Sequence, residues 1–538
     1  MIFDTQYYPY PSQRKVVFAK NGMVATSQSL AAEAGLEILR QGGNAIDAAI
    51  ATAACLTVVE PTSNGIGGDA FALVWTKNKL YGLNASGPAP KSISIDSVRK
   101  KGYQAMPDFG WIPVTVPGVP AAWAELSRKY GRISLQKTLL PAINYAETGF
   151  PVSPVVSYLW KKAYNKFSSY RNEEISKYWF ESFTLDGKVP SPGDLWNFPA
   201  QAKTLQMIAE TNAEVFYQGE IAEKIDSFSK KYDGYLRLED LNSFSPEWVE
   251  PINIKYHDYH VWEIPPNGQG LVALMALNIL KQMSINGKED PITYHQQIEA
   301  MKLAFADGKK YITDYRQSSK VIKVLLSECY AAERMKMIGE IAQDPYPGKP
   351  YGSDTVYLAT ADNEGNMVSY IQSNYMGFGS GLVVPDTGIS LQNRGANFSL
   401  DINHYNSLQP GKKTYHTIIP GFLTKENLPI GPFGVMGGFM QPQGHVQIIM
   451  NMIDFKLNPQ AALDAPRWQW SEGKKIKIEQ VFPRYVAEYL ERKGHSIEIP
   501  MDYRGLGGFG RGQIIWKDKN NVLLGATDPR ADGAVAAW

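Results

Sequence analysis

Apolar residues along the chain follow two different periods, and the period changes partway along it. Gly42-Gly43-Asn44-Ala45-Ile46-Asp47-Ala48-Ala49-Ile50-Ala51 opens with glycines and a capping asparagine, then continues as an alanine-rich run. This pattern predicts a helix that begins after Asn44 and is ended by Pro61. Gly65-Ile66-Gly67-Gly68-Asp69 reads as a loop and Phe71 to Thr76 as a strand. Pro120 to Tyr130 reads as a helix, with proline in its first turn and Gly131 as its stop. Leu139 to Glu147 reads as another, closed by Gly149. Ile292 to Asp307 reads as a polar-faced helix carrying Glu299, Lys302 and Asp307. Helices therefore dominate the first three-fifths of the chain.

The character changes near residue 343. Gln343-Asp344-Pro345-Tyr346-Pro347-Gly348-Lys349-Pro350-Tyr351-Gly352-Ser353 holds three prolines and two glycines and reads as an exposed loop. Thr355 to Ala361 then reads as a strand, Asp362 to Asn366 as a turn, and Met367 to Ser373 as the returning strand. Glycine-rich turns and short β-like runs continue to Gly510–Trp516 and Val522–Gly525, which read as a last hairpin. No internal repeat stands out. Helices first and strands second suggest a layered α+β architecture.

Composition narrows the class. At ~100–200 residues per domain, 538 residues make two to four domains, or two large ones. Hydrophobic residues at 44% and charged residues at 20% are ordinary for a soluble globular protein. Lys+Arg is 54 against Asp+Glu 53, and no basic run of five or more occurs, so neither a dedicated nucleic-acid binder nor a disordered chain is expected. Two distant cysteines, Cys55 and Cys329, exclude a disulfide scaffold and a cysteine-built zinc site. The segment Met1 to Tyr10 lacks the basic start and apolar stretch of a signal peptide, and no apolar run reaches ~18 residues. These features predict a soluble, cytoplasmic protein without a membrane partner.

The chemistry is defined first by what is missing. The seven histidines form no H-E-x-x-H arrangement. The close pair His257 and His260 supplies only two ligands, so no metal is expected. No G-x-S-x-G elbow occurs. Gly505-Leu506-Gly507-Gly508-Phe509-Gly510 matches a dinucleotide fingerprint by letters, but a strand-like Gly512–Trp516 follows where a helix is required. It reads as a flexible turn, and no cofactor is expected. What remains is Ser353-Asp354-Thr355, a hydroxyl residue that opens a strand after a long loop. A cut at Asp354–Thr355 would free an α-amine on Thr355, whose ordinary pKa is ~7.7–8.0. That amine could activate its own hydroxyl with no histidine partner.

These residues sit within a wider resemblance. The chain resembles the γ-glutamyltransferase (glutathione hydrolase) family of N-terminal-nucleophile enzymes. The matches include Gly42 to Ala49, Glu60-Pro61, Gly65 to Gly68, Thr115 to Gly118, Pro265 to Gly268, Glu299 to Asp307, Met436 to Gly438, Ala465 to Arg467 and Gly525 to Arg530. The resemblance implies a four-layer αββα sandwich made as one precursor. It implies autocleavage at Asp354–Thr355 into a large subunit, 1–354, and a small one, 355–538, which stay entwined; a homodimer of such pairs is a further expectation. It implies Thr355 as nucleophile, Ser373 in place of a threonine that hydrogen-bonds it, and Gly437 and Gly438 as oxyanion donors.

The resemblance breaks at the groups that hold the amino-acid end of glutamate. Ser86 stands where the family has an arginine, Tyr375 where it has an asparagine and Asn397 where it has an aspartate. His416 and Thr417 replace a pair of serines. Loss of an Arg–carboxylate clamp and an Asp–ammonium pair removes two charge-assisted contacts. Arg394 is a candidate compensating cation, with a structural role equally open. His416 and Lys413 are further candidates, although Lys413 reads as a solvated surface lysine.

The resulting expectation is a self-processing amidohydrolase that forms an acyl-enzyme on Thr355 and passes the acyl group to water or an amine. Its small-molecule substrate is a γ-glutamyl or similar amide. Oxamate, an amide beside a carboxylate with no ammonium, is the alternative, and cephalosporin-type acylases are cousins. An unprocessed, inactive relative kept for binding and a nucleotide-dependent enzyme are the competing classes.

Overall fold

The computed structural model of the chain describes residues 14–345, 354–501 and 508–538. Asn44 starts the first long helix by reciprocal capping. Its side chain accepts from the N–H groups of Ile46 and Asp47, and its own N–H donates to the Asp47 carboxylate. The helix is buried on every side, which explains its alanine content. Small residues let its neighbour approach closely: a Cβ on Gly35 would lie 2.2 Å from Thr52 Oγ1.

In chain order the strands of the two main sheets are β1 (Val17–Ala19), β2 (Gly22–Thr26), β3 (Asp69–Thr76), β4 (Lys79–Ala85), β5 (Glu247–Val249), β6 (Ile252–Tyr256), β7 (Tyr259–Glu263), β8 (Asp354–Asp362), β9 (Met367–Tyr375), β10 (Gly421–Lys425), β11 (Leu428–Met436), β12 (Arg511–Lys517), β13 (Leu523–Thr527) and β14 (Ala534–Ala537). One seven-stranded sheet runs β1-β13-β12-β11-β10-β7-β6 and the other β14-β2-β8-β9-β3-β4-β5. All their pairings are antiparallel. The sheets face each other across a core that includes Phe71, Tyr357, Ile371, Phe422 and Ile515.

Helices cover both outer faces. α1 (Ser29–Arg40), α2 (Ala45–Val59) and α3 (Val119–Tyr130) pack on the second sheet, with α4 (Leu135–Thr148) stacked on α2. α5 (Gly270–Leu280) and α7 (Met440–Ile453) pack on the first sheet, and α6 (Pro291–Tyr311) stacks on α5. The architecture is a four-layer αββα sandwich. No helix among the described residues is long and apolar enough to cross a membrane.

Several expectations need correction. Strands do not simply follow helices: β8 and β9, from beyond residue 353, insert between β2 and β3. Each sheet therefore draws on both parts of the chain, which order along the sequence cannot reveal. The helix read as Leu139–Glu147 begins at Leu135 and carries Pro141 within it, and the hairpin read as last is followed by β14. The polar face of α6 is buried. Lys302 Nζ donates to Glu299 at 2.7 Å, and Asp307 accepts from Arg334. The proline-rich loop lies outside the described residues from 346 onward, as do Gly505 to Gly507 of the dinucleotide-like run.

Candidate active site

Thr355 is the second residue of β8 and is fully buried. The β8–β9 register pairs Asp354 with Tyr375 and Val356 with Gln372, so Ser373 and Asn374 together lie opposite the single residue Thr355, a bulge on β9. A bulge redirects a side chain that regular pairing would hold in the pleat. Thr355 Oγ1 donates to Ser373 Oγ at 3.1 Å, and the Tyr375 N–H donates to the same oxygen at 2.8 Å. Tyr375 turns the chain off β9 with φ of 74°, a left-handed conformation that costs a bulky residue energy.

The next strand contributes a residue that sequence reasoning missed. Asp69 opens β3 and pairs in register with Ser373. Its carboxylate is fully buried and accepts from the Gly87 N–H at 3.3 Å. His416 Nε2 lies 3.0 Å from Asp69 Oδ2, and Arg394 Nε lies 3.7 Å from the same oxygen. The Ile418 N–H donates to His416 Nδ1 at 3.3 Å, which leaves the ring proton on Nε2 to donate to Asp69. Burial, with Arg394 and Lys413 nearby, drives His416 well below its ordinary pKa, so it is neutral and not the cation anticipated for it. Burial pushes Asp69 up to about 7 against the pull of Arg394. Only its position after a glycine-rich turn, where Asp is common, could have marked it.

Arg394 is 1% exposed. Its Nη1 donates to Thr417 Oγ1 at 2.7 Å, and its guanidinium carbon sits 4.3 Å from the centre of the Tyr375 ring. Nε and Nη2 have no hydrogen-bond partner among the described residues. Burial lowers its pKa to about 10, still charged at neutral pH. Lys413 is buried, not solvated as its sequence context suggests, and its Nζ reaches Glu247 at 3.2 Å. Ser86, at the position of the missing arginine, sits in a neutral network with Asn84 and Asn267. Asn397 is neutral, where an ammonium partner would be an aspartate: its Oδ1 accepts from Tyr375 Oη at 2.6 Å and its Nδ2 donates to the Tyr415 carbonyl at 3.0 Å.

Gly437 and Gly438 follow β11 directly and precede α7, with φ of 134° and 59°. Both values favour glycine, and a Cβ on Gly437 would meet Gly510 Cα at 3.1 Å. The Gly438 carbonyl is held by Gln269 Nε2 at 2.8 Å, and Tyr415 Oη donates to the Gln269 Oε1 at 2.9 Å. The pair lies at the positive end of α7, a setting that suits developing negative charge.

One metal-like cluster occurs among the described residues: His295, Glu299 and His495. His295 Nδ1 and His495 Nε2 lie 2.9 Å apart in a hydrogen bond, and the Lys302 ammonium already occupies Glu299. His257 and His260 instead contact Asp454 and Asn253.

Comparisons with known proteins were made against this geometry. A gamma-glutamyltranspeptidase family model matches residues 31–538. The glutathione hydrolase-like YwrD proenzyme of Bacillus subtilis is 38% identical over 97% of this chain and 99% of its own length. The oxamate amidohydrolase proenzyme of Klebsiella pneumoniae is 33% identical over 96% of this chain and 98% of its own. Among solved structures, a cephalosporin acylase from Bacillus halodurans superposes with a TM-score of 0.97 at 61% identity, covering 100% of this chain and 99% of that one.

Proposed function

The chain belongs to the gamma-glutamyltranspeptidase family and is a self-processing amidohydrolase; on that premise we propose that Thr355 is its nucleophile and that its substrates are amides whose acyl half carries a carboxylate but no ammonium. The observation that carries the second claim is the buried Arg394 guanidinium, two of whose nitrogens make no hydrogen bond among the described residues, Nε lying 3.7 Å from Asp69 Oδ2. A buried donor left unpaired is costly, and an incoming carboxylate would satisfy both nitrogens at once. Asn397 is neutral and its Oδ1 already accepts from Tyr375 Oη, so it offers an α-ammonium no opposite charge. This argues against glutamyl and toward simple carboxyacyl groups, of which the oxalyl group of oxamate is the smallest.

Maturation starts when Thr355 Oγ1 attacks the Asp354 carbonyl carbon. The C–N bond breaks, an ester to Oγ1 forms, and the α-amine of Thr355 is released. Water hydrolyses that ester, leaving a carboxylate on Asp354 and a free amine and hydroxyl on Thr355. In turnover the amine takes the hydroxyl proton as Oγ1 attacks the substrate amide. The Gly437 and Gly438 N–H groups receive the oxyanion, and the proton passes to the departing amine. Water then cleaves the acyl ester, and with oxamate the products are oxalate and ammonia. Ser373 orients Oγ1 throughout. A reducing, cytoplasmic setting suits two separate cysteines, Cys55 buried and Cys329 exposed.

The test is a denaturing gel with intact mass on purified protein, followed by assays on oxamate, a glutaryl anilide and a γ-glutamyl anilide. The expected result is two pieces, the smaller starting at Thr355, with turnover of an ammonium-free substrate ahead of the γ-glutamyl one. Thr355→Ala should give one uncut, inactive 59.9 kDa chain. A wild-type chain that never cuts would favour the inactive-relative reading. Preference for the γ-glutamyl anilide would overturn the acyl-group assignment.

A further inference from the structure

Two consecutive glycines give the proposed oxyanion site little stiffness of its own. Without a Cβ on Gly437 or Gly438, the peptides on either side of Gly438 turn over at small steric cost. A turned peptide offers a carbonyl where the reaction needs an N–H group. Hydrogen bonds oppose this. The Met440 N–H donates to the Gly437 carbonyl at 3.0 Å and fixes the peptide before Gly438. The peptide after it is held by its own carbonyl, which accepts from the Gln441 N–H at 3.1 Å and from Gln269 Nε2 at 2.8 Å.

Gln269 reaches this corner from the other part of the chain. It directly precedes α5, is fully buried, and its N–H donates to the His416 carbonyl at 3.0 Å. The two protons of Nε2 have two acceptors, the Thr417 carbonyl at 2.6 Å and the Gly438 carbonyl at 2.8 Å. Oε1 accepts from Tyr415 Oη at 2.9 Å. The opposite orientation of the amide would set Oε1 against two carbonyl oxygens, so the partners themselves fix which end is the nitrogen. One buried amide thus ties the peptide after the glycine pair to Thr417, whose hydroxyl receives Arg394 Nη1.

We propose that Gln269 is a positioning residue of the reaction, locking the Gly438 peptide so that the Gly437 and Gly438 N–H groups stay aimed at the substrate carbonyl oxygen. Resting on the oxyanion role proposed above, the lock acts through Gly438 and does not touch substrate. It matters most as negative charge develops, so its loss lowers kcat and spares KM.

Gln269→Met keeps the length of the side chain and removes all three of its contacts. It is assayed on cut enzyme, per free Thr355 terminus, with whichever of oxamate, the glutaryl anilide and the γ-glutamyl anilide wild type turns over fastest. Loss of an oxyanion donor costs about 10²–10³-fold, and a loosened one should cost less, about 30-fold in kcat with KM unchanged. Tyr415→Phe, which removes only the hydroxyl that orients the amide, should lower kcat about threefold in the same way. Combined with Gly437→Ala, Gln269→Met should add at most about threefold to the loss from Gly437→Ala alone, because both damage one element. Hydrogen exchange reads the lock without turnover or cutting: in uncut Thr355→Ala protein, adding Gln269→Met should speed amide exchange at residues 437–439 about tenfold. Wild-type kcat in Gln269→Met, a loss that falls on KM, losses that multiply in the double variant, or unchanged exchange at 437–439 overturns the proposal. Wild-type kcat in Gly437→Ala would instead overturn the oxyanion role of the glycines, and the lock with it.

Discussion

Asp69→Asn isolates the electrostatics of the proposed acyl site. Asp69 and a substrate carboxylate compete for one guanidinium, because Arg394 Nε is 3.7 Å from Asp69 Oδ2 and has no hydrogen-bond partner among the described residues. While Asp69 is protonated, Arg394 is free for the substrate. Once Asp69 ionises, an incoming carboxylate must displace or reprotonate it. With Asp69 pushed up to about 7 by burial, affinity for a carboxylate should be level below pH 7 and fall about tenfold per unit above it. Between pH 6 and pH 8.5 the loss is about 30-fold if only the protonated form binds. The assay is calorimetric binding of glutarate to the processed protein across that range, in two buffers of different ionisation enthalpy. Wild type should take up close to one proton per glutarate above pH 8, and Asp69→Asn should bind with a level profile and no uptake. The sign for stability follows from the same shift. The folded pKa is raised above its ordinary 3.8, so the contribution is complete below that value and is lost as pH rises through about 7. A level wild-type profile, or a variant that keeps the wild-type slope, would refute the reasoning.

Other sites give sharper structural readouts. Ser373→Ala removes the acceptor of both Thr355 Oγ1 and the Tyr375 N–H, so precursor cutting on a gel time course should slow about 10²-fold, with Ser373→Thr retaining most of the rate. Gly437→Ala forces a Cβ onto a backbone with φ of 134° and against Gly510 Cα at 3.1 Å; turnover should fall about 10²–10³-fold while circular dichroism stays unchanged. Asp528→Asn strips the Arg467 guanidinium of its 2.6 Å carboxylate partner in a fully buried network, and urea unfolding should show a loss of about 3–5 kcal/mol.

How much of this was legible in the sequence depends on the range of the interaction concerned. Asn44 and Asp47 announce α2 because the capping contacts span three residues, and β8 and β9 are legible because a short turn joins them. The placement of that hairpin between β2 and β3 depends on partners hundreds of residues away, and no local period encodes it. The same limit hid the cluster of Asp69, Arg394 and His416. Asp69 looks like a turn residue until β3 pairs with β9 and sets it beside Ser373, and Lys413 looks solvated until the sandwich closes over it. Local reading singled out the hydroxyls and glycines proposed for the reaction centre, because their proposed roles depend on residue type and motif. It could not see where the buried charges Asp69, Arg394 and Lys413 come to rest. That interleaving also bears on function. The proposed cut before Thr355 would leave β8 hydrogen-bonded to β2 on one side and β9 to β3 on the other. The buried Arg511–Glu60 pair at 3.1 Å adds a further tie across the two pieces. Separating them means unzipping the centre of a sheet, so processing can free the Thr355 amine without loosening the pocket around it.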